Sequence, residues 1–306
     1  MLPSLAMQIW SMELWEVGTL LAIGVAAGLT GGLLGIGGAV VTIPAISLLI
    51  GRDIHLAQAA AMNVTFFVAL PSAIRHYREG ALNTSLLKVA APMAVLAIIG
   101  GVFVSNVTPN ELMKRIFGIF LIYVIFQNVR KLMGGRSGLR SFLPFDLWFF
   151  KKSTGSSREM EASSGTSIPP TSVKKTRGLM LGGLAGGGAG ILGIGGGLIT
   201  VPLAELLCKL RLQEAIATSA AIMCFTSIIG AITKDLTFSS IPFYDQSGTA
   251  QYLPWYEPIR YAIWLIPTCI FGSWFGAKLT HLLPLKTIRV IFICILAAGA
   301  AKMLMP

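Results

Sequence analysis

Residues 28–44, Gly-Leu-Thr-Gly-Gly-Leu-Leu-Gly-Ile-Gly-Gly-Ala-Val-Val-Thr-Ile-Pro, return 158 positions later as residues 186–202, Gly-Gly-Gly-Ala-Gly-Ile-Leu-Gly-Ile-Gly-Gly-Gly-Leu-Ile-Thr-Val-Pro, with 9 of 17 positions identical. The identities include Gly35/Gly193, Gly37/Gly195, Gly38/Gly196, Thr42/Thr200 and Pro44/Pro202. Such self-similarity marks an internal duplication. Its best-kept part is a glycine cluster inside an apolar run, and glycine costs about 1 kcal/mol against alanine in a helix interior. Each copy is therefore expected to be a broken helix. In lipid, a break is tolerated only where the freed backbone groups are buried in protein or face a watery cavity.

The composition says that lipid is the relevant solvent. The chain has 306 residues, of which 54% are apolar and 12% charged, against about 25% charged in a soluble domain. The expected fold is an all-α polytopic membrane protein, built as a duplicated four-segment repeat of about eight hydrophobic segments. Apolar stretches at 17–50, 56–74, 86–105 and 112–132 form a first membrane repeat within 1–133. Those at 178–208, 214–233, 258–280 and 285–304 form a second within 178–306. Between them, residues 134–177 are rich in Ser, Gly and Lys, with eight Lys/Arg against three acids, and read as a flexible cytoplasmic linker. Pro92 and Pro109 match Pro267 and Pro284 at an offset of 175. The rise of 17 over 158 puts an insertion in the second half, within the polar loop 235–257. As one straight helix, residues 17–50 would be about 50 Å long against a hydrocarbon core of about 30 Å. Re-entrant breaks would give each half three crossings and make the halves inverted pseudo-two-fold repeats. The first 17 residues contain Glu13 and Glu16 but no Lys or Arg, so a removable signal peptide is not expected.

Several function classes fall away on composition. The net charge of +11 collects beside apparent spans, which reports cytoplasmic loops and not a nucleic-acid partner. The four cysteines stand singly in or beside apolar runs and the three histidines are isolated, so neither a metal nor another cofactor is expected. Gly-x-Gly-Gly lacks the strand, the downstream acid and the Gly-Lys-Ser/Thr ending of nucleotide loops.

Paired interruptions at matching positions of two halves are the sequence mark of a transporter's substrate site. Half-helix N-termini present unpaired N–H groups and a positive dipole end to an anion. The expected substrate-binding residues are Gly35, Gly37, Gly38 and Thr42 in the first half, and Gly193, Gly195, Gly196, Gly197 and Thr200 in the second. Asn63, Thr218 and Ser219 join them as polar groups in the following apolar helix of each half. Apart from Glu205 the spans look free of ionisable side chains. Arg75 and Lys234 fall at the ends of the second spans, where they read as interfacial anchors or as a possible gate.

The second-half Gly193-Ile-Gly-Gly-Gly197 and Ala217-Thr218-Ser219, with Gly35-Ile-Gly-Gly38 in the first half, resemble the sulfite exporter TauE/SafE family. Ala60-Ala61 stand where the first half would carry its own Thr-Ser pair. The resemblance covers roughly 18–133 and 178–304 and implies a multi-pass carrier in the plasma membrane. Its implied substrate is a small sulfur-containing or carboxylate anion, such as sulfite or a sulfonate. A coupling ion, proton or sodium, is implied as well. Two other classes stay open: a membrane assembly or scaffold protein docking through the basic linker, and a membrane-embedded enzyme.

Overall fold

The computed structural model describes residues 12–34, 37–78, 80–132, 174–244, 250–279 and 285–304; Gly35 and most of the expected linker lie outside them. The first half of the chain comprises α1 (Leu14–Leu34), a short α2 (Ala39–Ala45) continued by a π-helical turn (Ile46–Ile50), α3 (Ile54–Arg78), α4 (Thr84–Val107) and α5 (Asn110–Leu132). The second comprises α6 (Lys175–Leu192), α7 (Gly197–Cys208), α8 (Leu212–Phe238), α9 (Glu257–Leu279) and α10 (Leu285–Leu304). Between α8 and α9, β1 (Pro242–Tyr244) pairs antiparallel with β2 (Ala250–Tyr252), Phe243 opposite Gln251. Among the described residues five helices are long and apolar enough to cross a membrane. The chain is a multi-pass α-helical membrane protein.

The breaks fall on the duplicated glycines. Gly37 and Gly38 have φ of 86° and 74°, and Gly193, Gly195 and Gly196 have 72°, 70° and 97°. A right-handed helix cannot pass through such residues, and glycine alone adopts them cheaply. Each broken element folds back on itself. A methyl added at Gly38 would lie 2.7 Å from the carbonyl oxygen of Ala27, and one at Gly188 would lie 2.9 Å from Cδ1 of Ile199. Residues eleven apart on one straight helix would be separated by about 16 Å. Both elements are hairpins of a longer and a shorter arm.

Three inter-half contacts organise the bundle: α4 packs on α6, α9 on α1, and α3 on α8. The first two are close crossings of small residues. A methyl at Gly186 would overlap the Ala94 carbonyl, and one at Gly28 would overlap the Cys269 carbonyl. One turn earlier, Gly182 abuts the Ala90 carbonyl and Gly24 that of Leu265. Gly24 and Gly28 plus 158 are residues 182 and 186; Ala90 and Ala94 plus 175 are residues 265 and 269. The two interfaces therefore match residue for residue at the offsets of the sequence repeat.

Folding back also sorts the loops between two ends. At the first end Arg52 pairs with Glu16 at 2.8 Å and lies over the Tyr261 ring, and Asn106 bonds Thr237. At the second end the Asn83 amide bonds Thr218, and Gly178 near the start of α6 lies against Leu86 and Val89. Outward faces carry Leu96, Phe103, Ile119, Phe126, Leu236 and Phe271. Such a belt is a liability in water and ordinary against lipid. One expected boundary moves. The loop read at 235–257 begins later, because α8 runs on to Phe238 and carries Asp235 inside the bundle.

Candidate functional site

The two breaks meet. The methyl Cγ2 of Thr65 lies 3.2 Å from where a Cβ at Gly37 would be and 2.7 Å from where one at Gly195 would be. Met223, the Thr65 equivalent at offset 158, places its sulfur 3.1 Å from the same point at Gly37. Thr65 and Met223 are buried on the paired helices α3 and α8, so the central helix pair wedges Thr65 between both breaks and sets Met223 against the first.

α7 opens at this meeting point. Gly196 caps it in the left-handed region, and no side chain caps the helix. The Gly196 carbonyl accepts from the amides of Ile199 and Thr200 and, at 2.7 Å, from Thr200 Oγ1. In the first half the Gly38 carbonyl accepts from the amides of Val41 and Thr42 and, at 3.2 Å, from Thr42 Oγ1. The two caps share these bonds and differ at the first amide, which in the first half donates from Ala39 to the Gly37 carbonyl at 2.9 Å. Among the described residues the amides of Gly197 and Leu198 donate to no acceptor. Gly197 is buried, and an unpaired N–H away from water is costly. At about 1.5 Å per residue, the 12 residues of α7 rise about 18 Å, so this N-terminus sits deep within the bundle.

Hydroxyls ring the break. Thr226 Oγ1 donates to the Gly195 carbonyl at 2.7 Å and Ser219 Oγ to the Gly197 carbonyl at 3.2 Å. Ser227 bonds the Met223 carbonyl, and its Cβ lies 3.5 Å from the Cβ position at Gly195. Such hydroxyls can turn from backbone to ligand. Thr65, Thr226 and Ser227 were not among the expected residues, because Ser and Thr inside apolar helices commonly bond the preceding turn. Thr226 carries no signal of its own in the sequence; only the fold brings it back across 31 residues to Gly195.

Two expected side-chain partners are engaged elsewhere. Thr218 accepts from the Asn83 amide at the second end. Asn63 spends its amide protons on the Ala59 carbonyl and, at 2.9 Å, on Asp235 Oδ2. Arg75 and Lys234 do not form a pair. Arg75 is exposed beside Leu70, Pro71, Ile74 and Arg78 in a shallow surface groove. Lys234 is 0% exposed, so it neither snorkels nor ends a span, and the spans are not free of basic groups.

The surroundings of Lys234 are unusual. Its Nζ donates to Gln58 Oε1 at 2.8 Å and to Ser105 Oγ at 2.7 Å, and Ser105 donates to the same Gln58 oxygen at 3.0 Å. Among the described residues the ammonium makes no ion pair. Gln58 Nε2 donates to the Ile191 carbonyl at 3.3 Å, and the Gln58 side chain lies 2.5 Å from the Cβ position of Gly193. A thread of hydrogen bonds thus runs from the buried lysine to the last turn of α6. Nearby, burial pushes the Asp53 carboxyl above its usual range, against the His55 amide and the charges of Lys114 and Lys234. Gln58 was hidden in the run Ala57-Gln58-Ala59-Ala60; a lone amide among alanines was its only signal.

Residues 20–303 match the family described as Sulfite exporter TauE/SafE. The chain is 25% identical over 300 residues to a probable membrane transporter protein, MamO, of Magnetospirillum gryphiswaldense, covering 95% of this chain and 45% of MamO. The chain thus spans about half the length of that relative. It is 25% identical to the probable membrane transporter protein YunE of Bacillus subtilis, covering 89% and 91% of the two. A probable membrane transporter protein of Haemophilus influenzae is 24% identical, covering 92% and 96%. No solved structure matches. Duplicated glycine breaks that meet inside a multi-pass bundle and a family match over nearly the whole chain agree: this chain belongs to the sulfite exporter TauE/SafE family.

Proposed function

We propose that the chain is a secondary carrier in the plasma membrane that exports a small sulfur-containing or carboxylate anion, such as sulfite or a sulfonate. The anion would bind between the two breaks, on the free amides of Gly197 and Leu198, with Ser219, Thr226 and Ser227 turning their hydroxyls toward it. The observation that carries this reading is the buried, uncapped N-terminus of α7 facing a second glycine break across Thr65. A small anion in low dielectric needs fixed donors, and backbone donors leave no bare charge when the site is empty. Proteoliposomes offered labelled sulfite, sulfate, sulfonates and small carboxylates test it. Saturable exchange of at least one of these anions is expected, and none at all would end the carrier reading.

The two halves would be inverted repeats about an axis in the membrane plane, an arrangement favoured by the matching crossings at Gly28/Cys269 and Gly186/Ala94. The second end, with Arg75, Arg78, Lys88, Lys175, Arg177, Lys209 and Arg211, would be cytoplasmic by the positive-inside rule. With Cys294 removed, Ser85→Cys should label from the cytoplasm and Ser240→Cys from outside; both labelling from one side would defeat the inversion. Deleting residues 138–173 should leave exchange largely intact, whereas a scaffold docking through that segment would lose its function.

A further inference from the structure

We propose that Lys234 is the coupling site of this carrier, binding and releasing one proton per transport cycle, and that Gln58 passes its state to the glycine break. The proposal rests on the carrier reading above. Lys234 is fully buried near the first end of the bundle, on the helix whose pairing with α3 holds the two breaks together. Nothing in its contacts fixes its charge. Both partners, Gln58 Oε1 and Ser105 Oγ, are neutral. A lysine clamped by a carboxylate is tied to its ammonium form. Here the amine –NH2 left after proton release still has two donors for the same two oxygens. The step is a plain acid–base exchange: one N–H bond breaks as water on one side takes the proton, and it re-forms with a proton from the other. No other bond changes.

The charged and titratable groups around Lys234 fit this role better than that of an anion receptor. Asp53 and His55 come from the start of α3, and Glu111 and Lys114 from α5, where they pair at 2.8 Å. Asp235 lies on α8 itself, 7% exposed, with Oδ2 held by Asn63 and Oδ1 buried without a partner. Elsewhere at this end the charges are paired among themselves, Glu257 with Arg260 at 3.3 Å on α9 and Glu16 with Arg52 at 2.8 Å. α4 and α6 bring no charged residue to this end. An arriving anion would meet two carboxylates flanking one ammonium, whereas a proton meets a polar, partly carboxylate surrounding.

The link to transport is Gln58. Its oxygen takes the lysine and Ser105, its nitrogen holds the Ile191 carbonyl, and its stem fills the space beside Gly193. A loss of charge at Nζ weakens one of these bonds, since charge-assisted bonds are about twice as strong as neutral ones. The amide is then released to shift against the break. A residue that only packs the core would not separate driving force from exchange.

The test compares wild type, Lys234→Met and Lys234→Arg in proteoliposomes containing a pH indicator, with radiolabelled sulfite as the probe. Each protein is first checked for folding by its thermal unfolding. Wild type should show sulfite uptake driven by a pH gradient, proton movement when sulfite is added, and sulfite counterflow at equal pH. Both variants should lose gradient-driven uptake by roughly tenfold or more, together with the proton signal, while still performing counterflow. Arginine keeps the charge but does not release its proton, so its behaving like methionine identifies titration as the lost property. A folded Lys234→Met protein with an intact proton signal overturns the proposal alone. So does loss of counterflow in a folded variant, which would make Lys234 the partner of the anion. Lys234→Arg coupled like wild type overturns it too. Wild-type vesicles without counterflow would remove the carrier reading for sulfite, and the proposal with it.

Discussion

Gly28→Val and Gly186→Val should each abolish folding, and to a similar degree, while Gly187→Val should be tolerated. At residue 28 a Cβ would overlap the Cys269 carbonyl on α9, and at residue 186 it would overlap the Ala94 carbonyl on α4. Both obstacles are backbone, so no side-chain rotation relieves them. Whole helices would have to separate, along interfaces where a Cβ at neighbouring Gly182 would overlap the Ala90 carbonyl and one at Gly24 would overlap Thr268 Oγ1 and lie 3.0 Å from the Leu265 carbonyl. Ordinary overpacking costs about 1–3 kcal/mol, and a clash with a helix backbone belongs above that range. Native stabilities are only about 5–15 kcal/mol, so little folded protein should remain. Gly187 offers the control, since a Cβ there meets nothing within 4 Å and valine is a slightly better helix former than glycine. The measurement is the yield of monodisperse protein after detergent extraction, with the unfolding midpoint of whatever survives. A stable Gly186→Val protein beside an unstable Gly28→Val protein would show that the two crossings are not equivalent, and would weaken the inverted-repeat proposal.

Much of this architecture was legible because glycine and proline act locally. A left-handed residue stops a helix wherever it stands, so Gly37, Gly38, Gly195 and Gly196 announced the breaks without any knowledge of neighbours. The direction of the chain after each break was not legible. It depends on the combined dihedrals of several residues and on what packs beside them, and only the approach of Gly38 to Ala27 and of Ile199 to Gly188 reveals a hairpin. The same limit explains Lys234. A cation late in an apolar run reads as the end of a span, because burying it alone would be prohibitive. Its partners lie 176 and 129 residues away, a distance across which sequence carries no pairing signal here. Asn63 shows the converse case. Its amide did need a partner inside the membrane, but the partner is Asp235 and not the ligand expected for it.

Gly196→Leu should abolish transport, and here the structure sharpens what the sequence suggests. Gly196 has φ 97°, a conformation that strains any L side chain by about 1–3 kcal/mol. A Cβ there would also lie 3.2 Å from Ala189 Cβ, which a shift of a few tenths of an ångström between α6 and α7 relieves, and 3.6 Å from Thr200 Oγ1, an ordinary contact. The fold should therefore persist at reduced stability, unlike the outcome at Gly186. The cap should not survive. Relaxing φ turns the Gly196 carbonyl away from the amides of Ile199 and Thr200 and swings the free amides of Gly197 and Leu198 out of the meeting point of the two breaks. Each hydrogen bond to a charged group is worth about 1.5–3 kcal/mol, about ten- to a hundredfold in affinity. Losing two should remove measurable exchange. Gly196→Ala should be intermediate, because it keeps the backbone strain but adds no bulk beyond Cβ. Ser219→Ala should be milder still, since one donor is lost and the cap remains. Initial exchange rates, normalised to folded protein, should fall in the order Ser219→Ala, Gly196→Ala, Gly196→Leu. Normal exchange by a folded Gly196→Leu protein would move the anion away from the start of α7, with the exposed cations at Arg75 and Arg78 the next place to look.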